Sequence, residues 1–526
     1  MFLKCGTYYQ TEVITELRKI TARAGGTILK SAIILTLISF GVKAMGMFFR
    51  VYLSNRMGAE GMGLYQLVMS VYSLFATFAT SGFTVAVSRL CAEAFGENNV
   101  PEAKRTLRVS MGVSACFGAA AMIVLFSFSD LFAKYILCDI RTSLPLKILS
   151  ASTVFMSVSG CYKGYFIASR KIYRGSLVSL SEQTVKTAVT MIIFATVLKG
   201  STDVGELCAG LVIGLTAGEI SSYIILFIIH NITERKEKRI KTGGRVNRTL
   251  KTVLSVTMPI AGSAYIVSAL HTVESVLIPL QFTKYCADSS KALSDFGIVR
   301  GMVIPVLFFP FAFLSSVVSV MIPEISRLNG KAHQKERNAK ISRIMKISFV
   351  FSICIGGMFY FFADGICSVL YNDRASVGPM RMLALVTPMM YIETISDGIL
   401  KAIGEQLSTL RFSVYNSVLR ISAILLVLQY TGLNGYLWLL VVSNAFSFFL
   451  CVLRLKKATD FDFNFISDVM LPVTFTVIAG KAAEWITSIS SITSQSAGLI
   501  LGALIFFVVY SAPAIMLSGK ALKTAQ

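Results

Sequence analysis

The chain has 526 residues, 54% of them hydrophobic and 15% charged, with a mean hydropathy of +0.69 and a formal net charge of +22. A soluble globular chain carries about 25% charged residues, so these values exclude that class and point to repeated membrane spans, each needing about 20 mostly apolar residues. The positive balance leaves nucleic acid to be considered, and the placement of the charge decides against it.

In chain order, residues 1–30 form a tail with no long apolar run before Ser31 and no small-residue cleavage site, so no removable signal peptide is expected and the first span serves as its own insertion signal. Fourteen spans are expected, at 31–53, 62–86, 109–129, 144–168, 176–198, 206–230, 252–280, 300–322, 345–363, 378–400, 409–430, 435–453, 468–488 and 496–518. An even number puts both termini on one side. The organisation expected is a tail (1–30), six spans (31–230), a basic linker (231–251), six more spans (252–455), and two final spans with a C-terminal tail (456–526).

Of the 50 Lys and Arg residues, 35 fall in the N-terminal tail and alternate loops after it, 9 in the opposite loops, and 6 inside or at the edges of spans. The side with 35 is expected to be cytoplasmic, which places both termini there in a multi-pass protein of the cytoplasmic membrane. The densest run, ERKEKRIKTGGRVNR at 234–248, reads as a topogenic linker touching anionic lipid, with no nucleic-acid partner. The ten cysteines lack CxxC spacing and read as small apolar residues.

Duplicated halves are a common plan for transporters. VSRL at 87–90 matches ISRL at 325–328 at an offset of 238, and Gly164, Ala168 and Lys186 match Gly398, Ala402 and Arg420 at 234. Lys30 and Gly41 match Lys251 and Gly262 more loosely, at 221. Six spans repeated by six imply two similar bundles related by an axis along the membrane normal, with the last two spans left over.

The first span carries Lys43 and Arg50. Residues seven apart lie within about 20° of each other around a helix, so the two cations share a face, and Gly46 between them admits a ligand or another helix. A cation at mid-bilayer costs at least about 2.5–3.5 kcal/mol on insertion scales. The pair is therefore expected to face a cavity between the halves, the alternative for Arg50 being to snorkel to the interface. Glu182 and Lys186 stand four apart as an intramembrane pair, or else Lys186 and its mate Arg420 present matched cations from the two halves. Glu393 and Asp397, with Lys401 one turn on, read as a solvated helix end or a cation site; His271 and Glu274 lie between Pro259 and Pro279, where a bent helix could leave carbonyls for Na⁺ or H⁺ beside a carboxylate. Pro305 and Pro310 are expected to bend the eighth span, and Lys481 with Glu484 reads as a simple pair.

No catalytic constellation is found. The three histidines, His230, His271 and His333, have no metal-ligand spacing, and neither a Walker A run nor a G-x-S-x-G elbow is present. The chain is expected to be no enzyme and to hold no metal or cofactor beyond a coupling Na⁺ or H⁺.

The run FFRVYLSNRMGAEGMGLYQL (48–67), continued by VYSLFATFATSGFTVAVSRLCAE (71–93), resembles the polysaccharide-transporter branch of the multidrug/oligosaccharidyl-lipid/polysaccharide (MOP) exporter superfamily, and within it the stage V sporulation protein B group, relatives of lipid II flippases. Thr84 departs from the pattern, which has proline there and so leaves the bend of the second span open. The resemblance implies an all-α, MATE-like fold of two six-helix lobes with a cationic cavity, and two extra helices holding a lipid tail. It further implies export of a polyprenyl-pyrophosphate-linked oligosaccharide or peptidoglycan precursor for cell-wall or spore-cortex synthesis. Arg50 matches a cavity arginine of those flippases in type and place, Arg300 matches another, and Arg89 is the weakest carry-over. The expected headgroup cations are thus Lys43, Arg50, Lys186, Arg420 and Arg300, with Glu274, Asp397 and Glu393 as coupling-ion candidates. Expected partners are the lipid-linked anionic saccharide, membrane lipids and cell-wall synthesis enzymes. The alternatives are a cation-coupled multidrug exporter of the same superfamily, a membrane glycosyltransferase, against which the short outer loops argue, and a non-transporting scaffold for wall-synthesis enzymes.

Overall fold

The computed structural model describes residues 26–236, 246–328, 333–489 and 495–523, which leaves tail residues 1–25, linker residues 237–245, residues 329–332 and 490–494, and the last three residues outside the described set. Among the described residues there are helices and turns and no strand. The principal helices are α1 (Gly26–Thr80), α2 (Phe83–Gly96), α3 (Val100–Ser127), α4 (Ser143–Ala168), α5 (Ile172–Thr196), α6 (Val204–Lys236) and α7 (Val246–Cys286). After these come α8 (Phe311–Arg327), α9 (Gln334–Phe361), α10 (Val377–Ala402), α11 (Gln406–Ala423), α12 (Gln429–Thr459), α13 (Leu471–Ile489) and α14 (Gln495–Lys523).

Each expected span falls on helix, but the count of fourteen is not confirmed. Nine helical runs among the described residues are long and apolar enough to cross a membrane. Two of them, Ile38–Gly96 and Gln406–Thr459, exceed the length of one span. Inside them Gly58 (φ 69°) and Gly432 (φ 56°) adopt backbone angles that break the helix. The expected spans at 176–198, 300–322 and 496–518 lie on helices outside the nine: α5 carries Glu182 and Lys186, the stretch before α8 is broken at Pro310, and only Ala497–Ser511 is apolar throughout in α14.

The repeat is visible in the helix ends. α3 and α9 both have 28 residues, displaced by 234 at each end (100 to 334 and 127 to 361), and α4 and α10 both have 26, displaced equally (143 to 377 and 168 to 402). Packing repeats as well. A Cβ on Gly164 would meet the Thr84 carbonyl at 2.5 Å, and one on Gly398 would meet Ile322 at 3.4 Å. Ile322 is the mate of Thr84 at the 238 offset, so matched positions touch in both halves. Small residues allow such close approach where apolar burial alone cannot drive helices together in lipid.

By backbone contacts the described residues form two compact units, 34–301 with 421–432, and 302–420 with 433–523 and 26–33. Their boundary is not the basic linker: α7 groups with the helices before it. Its face explains this, because Thr272 Oγ1 donates to the Ser70 carbonyl (2.9 Å), Tyr265 Oη donates to the Phe78 carbonyl (3.2 Å), and Gly82 would clash with Thr257 if it bore a side chain. Gly82, with φ 80°, also ends the second span's first segment, so the break falls there with Thr84 already inside α2. α7 continues through Pro259 and Pro279 as one helix. The eighth span does bend, through π-helical turns at Gly297–Val303, a short helix at Ile304–Phe308, and α8 capped by Pro310.

Candidate functional site

In the first unit, α1 runs alongside α5. Thr184 Oγ1 donates to Met45 Sδ (3.7 Å), Gly46 admits Gln183 Nε2 to ordinary van der Waals contact, and Lys186 lies over the Phe49 ring at 6.0 Å. One turn past Tyr52, Arg56 donates to the Leu198 carbonyl at the end of α5 (2.9 Å). At Gly46, between Lys43 and Arg50, the element that approaches α1 is therefore α5.

Lys186 has two carboxylates in Coulombic range, Glu182 on its own helix and Glu219 on α6. The ion pair of Glu182 is with Lys163 of α4 (3.3 Å, both partly buried), and Lys186 lies beyond 4.0 Å from it. Lys163, Glu182, Lys186, Glu219 and Arg50 thus make a cluster of three cations and two anions. α5 and α6 come close enough to form it because Gly214 and Gly218 face Thr190 and Lys186; a Cβ on Gly214 would sit 2.0 Å from Thr190 Oγ1. Arg50 faces Tyr65 and Lys186 electrostatically and forms no hydrogen bond or ion pair with the described residues. Lys43, about two turns back, is exposed. Lys163 and Glu219 are the members that sequence reasoning missed.

Arg300 and Glu274, expected in separate roles, are brought together: Arg300 Nη2 donates to Glu274 Oε1 at 2.6 Å, with the Glu274 side chain 1% exposed and His271 Nδ1 3.7 Å from its other oxygen. A guanidinium held this way is neutralised in place, and its use for an anionic ligand would leave a buried carboxylate uncompensated.

In the second unit, Arg420 of α11 donates Nε to Ser443 Oγ (2.9 Å) and Nη2 to Asn444 Oδ1 (3.4 Å), both on α12. Glu393 of α10, in Coulombic range of Arg420, accepts from Ser447 of the same α12 face (2.5 Å). Asp397 pairs with Lys401 along α10 (2.6 Å). The repeat mates Lys186 and Arg420 therefore sit in polar clusters built from corresponding helices, the fourth, fifth and sixth of each half. The clusters differ in content, since Lys163 falls on Asp397 and Glu182 on Asn416 at the offset of 234. Two further expectations can be placed. Arg89 pairs with Glu93 at an exposed helix end (2.9 Å), and Lys481 pairs with Glu484 (2.8 Å) while lying over the Phe361 ring at 5.8 Å. Among the described residues no cluster of three His, Cys, Asp or Glu could hold a metal ion.

Residues 28–329 match the family described as "Polysaccharide biosynthesis protein". The chain belongs to that family. As a member of it, the chain is similar to stage V sporulation protein B of Bacillus subtilis (strain 168), 22% identical over 72% of this chain and 73% of that one. It is also similar to the lipid II flippase MurJ of the same organism, 28% identical over 20% of each chain. Its fold matches a solved lipid II flippase MurJ in an inward closed conformation, with a TM-score of 0.69 and 14% identity, over 93% of this chain and all of that one. An inward-facing multidrug resistance MATE transporter of the MOP superfamily matches with a TM-score of 0.59 and 15% identity, over 82% of this chain and 99% of that one. The family member described here is a multi-pass membrane protein, helical among the described residues, with the fold of the solved MurJ and MATE transporters.

Proposed function

We propose that the protein exports a polyprenyl-pyrophosphate-linked oligosaccharide or peptidoglycan precursor across the cytoplasmic membrane by alternating access, for cell-wall or spore-cortex synthesis, without covalent chemistry of its own. The observation that carries the reading is Arg50: a guanidinium inside a span, in a cluster with one more cation than anion, and without a hydrogen bond or ion pair to the described residues. An intramembrane charge faces a partner or water, and a guanidinium fits phosphate oxygens in bidentate geometry. Lys43 on α1 and Lys186 on α5, which lies over the Phe49 ring beside Arg50, would share the headgroup, with Arg420 as the corresponding cation of the other half. Arg300 is a weaker member, because Glu274 already engages it. Glu219 and Glu393 are the carboxylates best placed for a coupling proton or Na⁺, each beside the basic residue of its half's fifth helix. The excess of positive charge also favours an anionic substrate over the cationic drugs of the multidrug reading.

The test is binding of undecaprenyl-pyrophosphate-linked precursor to purified protein by native mass spectrometry, followed by flipping in proteoliposomes. Lys43→Ala/Arg50→Ala, if folded as the wild type, is expected to lose at least tenfold in affinity, the equivalent of about 1.4 kcal/mol, and to stop flipping. Wild-type binding and flipping by that variant would sink the assignment.

A further inference from the structure

The repeat also marks a surface that one half covers and the other leaves bare. In the second unit, α13 and α14, which stand outside the six-by-six repeat, lie against one face of α9 and the turn after it. Tyr510 Oη donates to the Val350 carbonyl (2.9 Å), and Cys354 packs with Ala479, Ala483 and Phe506. A Cβ on Gly357 would sit 1.9 Å from Thr476, and one on Gly365 would sit 2.8 Å from Leu499. Between them the Phe362 ring meets that of Phe506 at 6.1 Å. At the offset of 234 these five positions fall on Cys116, Ala120, Ile123, Phe128 and Leu131, along α3 and the turn after it, and every one of the five is exposed. The first half thus presents, uncovered, the face that its counterpart buries under two helices.

Nearer the N-terminal end of α3 the same face opens into an apolar groove of about 390 Å³ between α3 and α7. It is lined by Val109, Gly112, Val113 and Cys116, with Leu250 of α7 as its far wall and Arg108 at its edge. The four α3 residues stand at i, i+3, i+4 and i+7, so they form one stripe. Gly112, Cys116 and Ala120 are small residues four apart, and a Cβ on Gly112 would meet nothing within 4 Å. In lipid, small residues at this spacing let two helices approach closely enough to associate by packing alone. Val109 and Val113 beside them are stiff at χ1 and lose little side-chain freedom on contact.

We propose that this face of α3 is the interface of a homodimer within the membrane. A second copy is the occupant that fits. Copies inserted in the same orientation are related by a two-fold axis along the membrane normal, so α3 meets its copy parallel and in register, and the interface is isologous. The stripe is complementary to itself in that arrangement: the valines of one copy enter the groove that Gly112 leaves open on the other. The helices that cover the matching face of the second half are not available for exchange, because α13 and α14 are already seated on α9.

Cys116, in the middle of the stripe, supplies the first readout. Proteoliposomes of full-length protein would be treated with copper phenanthroline, which catalyses oxidation of paired thiols by dioxygen; the disulfide forms only where two Cα atoms come close. A linked dimer of twice the chain mass is expected, kept in Cys138→Ser, which removes another exposed cysteine, and lost in Cys116→Ser. Gly112→Leu fills the groove without a clash inside its own chain. It is expected to raise the dimer dissociation constant in liposomes at least tenfold, measured by single-molecule photobleaching across protein-to-lipid ratios, with an unchanged circular-dichroism spectrum as the folding control. A wild type that stays monomeric at every ratio, or a Gly112→Leu dimer as tight as the wild type, would overturn the interface. So would a photo-crosslinker placed at Ala120 that joins the chain to phospholipid alone or to a different membrane protein, since the face would then belong to that occupant.

Discussion

Single residues show where chemistry can be read from a sequence and where it cannot. Arg50 and Lys186 stand out because a cation in an apolar run needs an explanation. Lys163 escapes notice because it sits three turns from nothing conspicuous and is tallied with the basic loop after the fourth span; in the structure it is inside α4 and holds Glu182. Glu219 escapes because a lone Glu in LTAGEISS carries no periodic signal, and its relevance comes from α5 on the neighbouring face. The same limit applies to Arg300 and Glu274: each was visible alone, but their pairing depends on how α7 meets the turns after it, which no local spacing encodes. The Lys163–Glu182 pair makes a distinguishing prediction. Lys163→Met leaves a partly buried carboxylate without its partner and is expected to cost on the order of 2 kcal/mol, read as a lower melting temperature in detergent. Lys163→Met/Glu182→Gln should recover most of that loss. Failure of the second substitution to restore stability would mean that Lys163 acts through something other than this pair.

At the scale of elements, each span expected from hydropathy lies on helix, while the joints followed backbone chemistry that hydropathy does not carry. Glycine, rather than proline, makes the breaks at 58, 82 and 432, each with a positive φ, whereas Pro259 and Pro279 leave α7 continuous. A helix tolerates proline in lipid when neighbouring groups satisfy the carbonyl it frees, which for Pro279 is that of Ser275, four residues back. Other glycines set how closely elements meet. A Cβ on Gly297 would lie 1.9 Å from the Ala59 carbonyl, and one on Gly63 would lie 2.0 Å from the Leu293 carbonyl, so the turns after α7 are seated backbone to backbone on α1. Next to that contact, Glu60 accepts from Ser290 Oγ (2.6 Å) and from Arg141 Nη1 (2.8 Å), which ties two loops to the turn after Gly58. Gly297→Ala is therefore expected to destabilise by about 1–3 kcal/mol through overpacking, seen as a lower melting temperature. Gly41→Ala, where a Cβ meets nothing within 4 Å, should be neutral or stabilising, since alanine is the better helix former. Equal melting temperatures for the two variants would show that the α1 contact yields without cost.

For the whole molecule, the repeat ties these observations together. It was legible because insertions were confined to loops, leaving the third and fourth helices of each half identical in length and displaced by one constant number. What the repeat does not conserve is the charge around the shared cation: Lys163 and Glu182 correspond to Asp397 and Asn416. Two halves that hold a basic residue in the same place among different neighbours are not interchangeable carriers, and a substrate or ion engaging one half need not engage the other equally. That asymmetry bears on energy coupling. An anionic headgroup leaving the cytoplasmic side moves with an inside-negative potential, and each charge carried across is worth about 2.3 kcal/mol per 100 mV. If the headgroup moves without a compensating cation, flipping in proteoliposomes should accelerate when a K⁺ diffusion potential is set negative on the side from which substrate departs, and slow when the sign is reversed. Glu219→Gln should leave that voltage response in place if the carboxylate only buffers Lys186, and should change its steepness if the carboxylate carries a proton during the cycle. A flux indifferent to potential in the wild type would instead require a cation to travel with each headgroup, and would turn attention to Glu219 and Glu393 as its carriers.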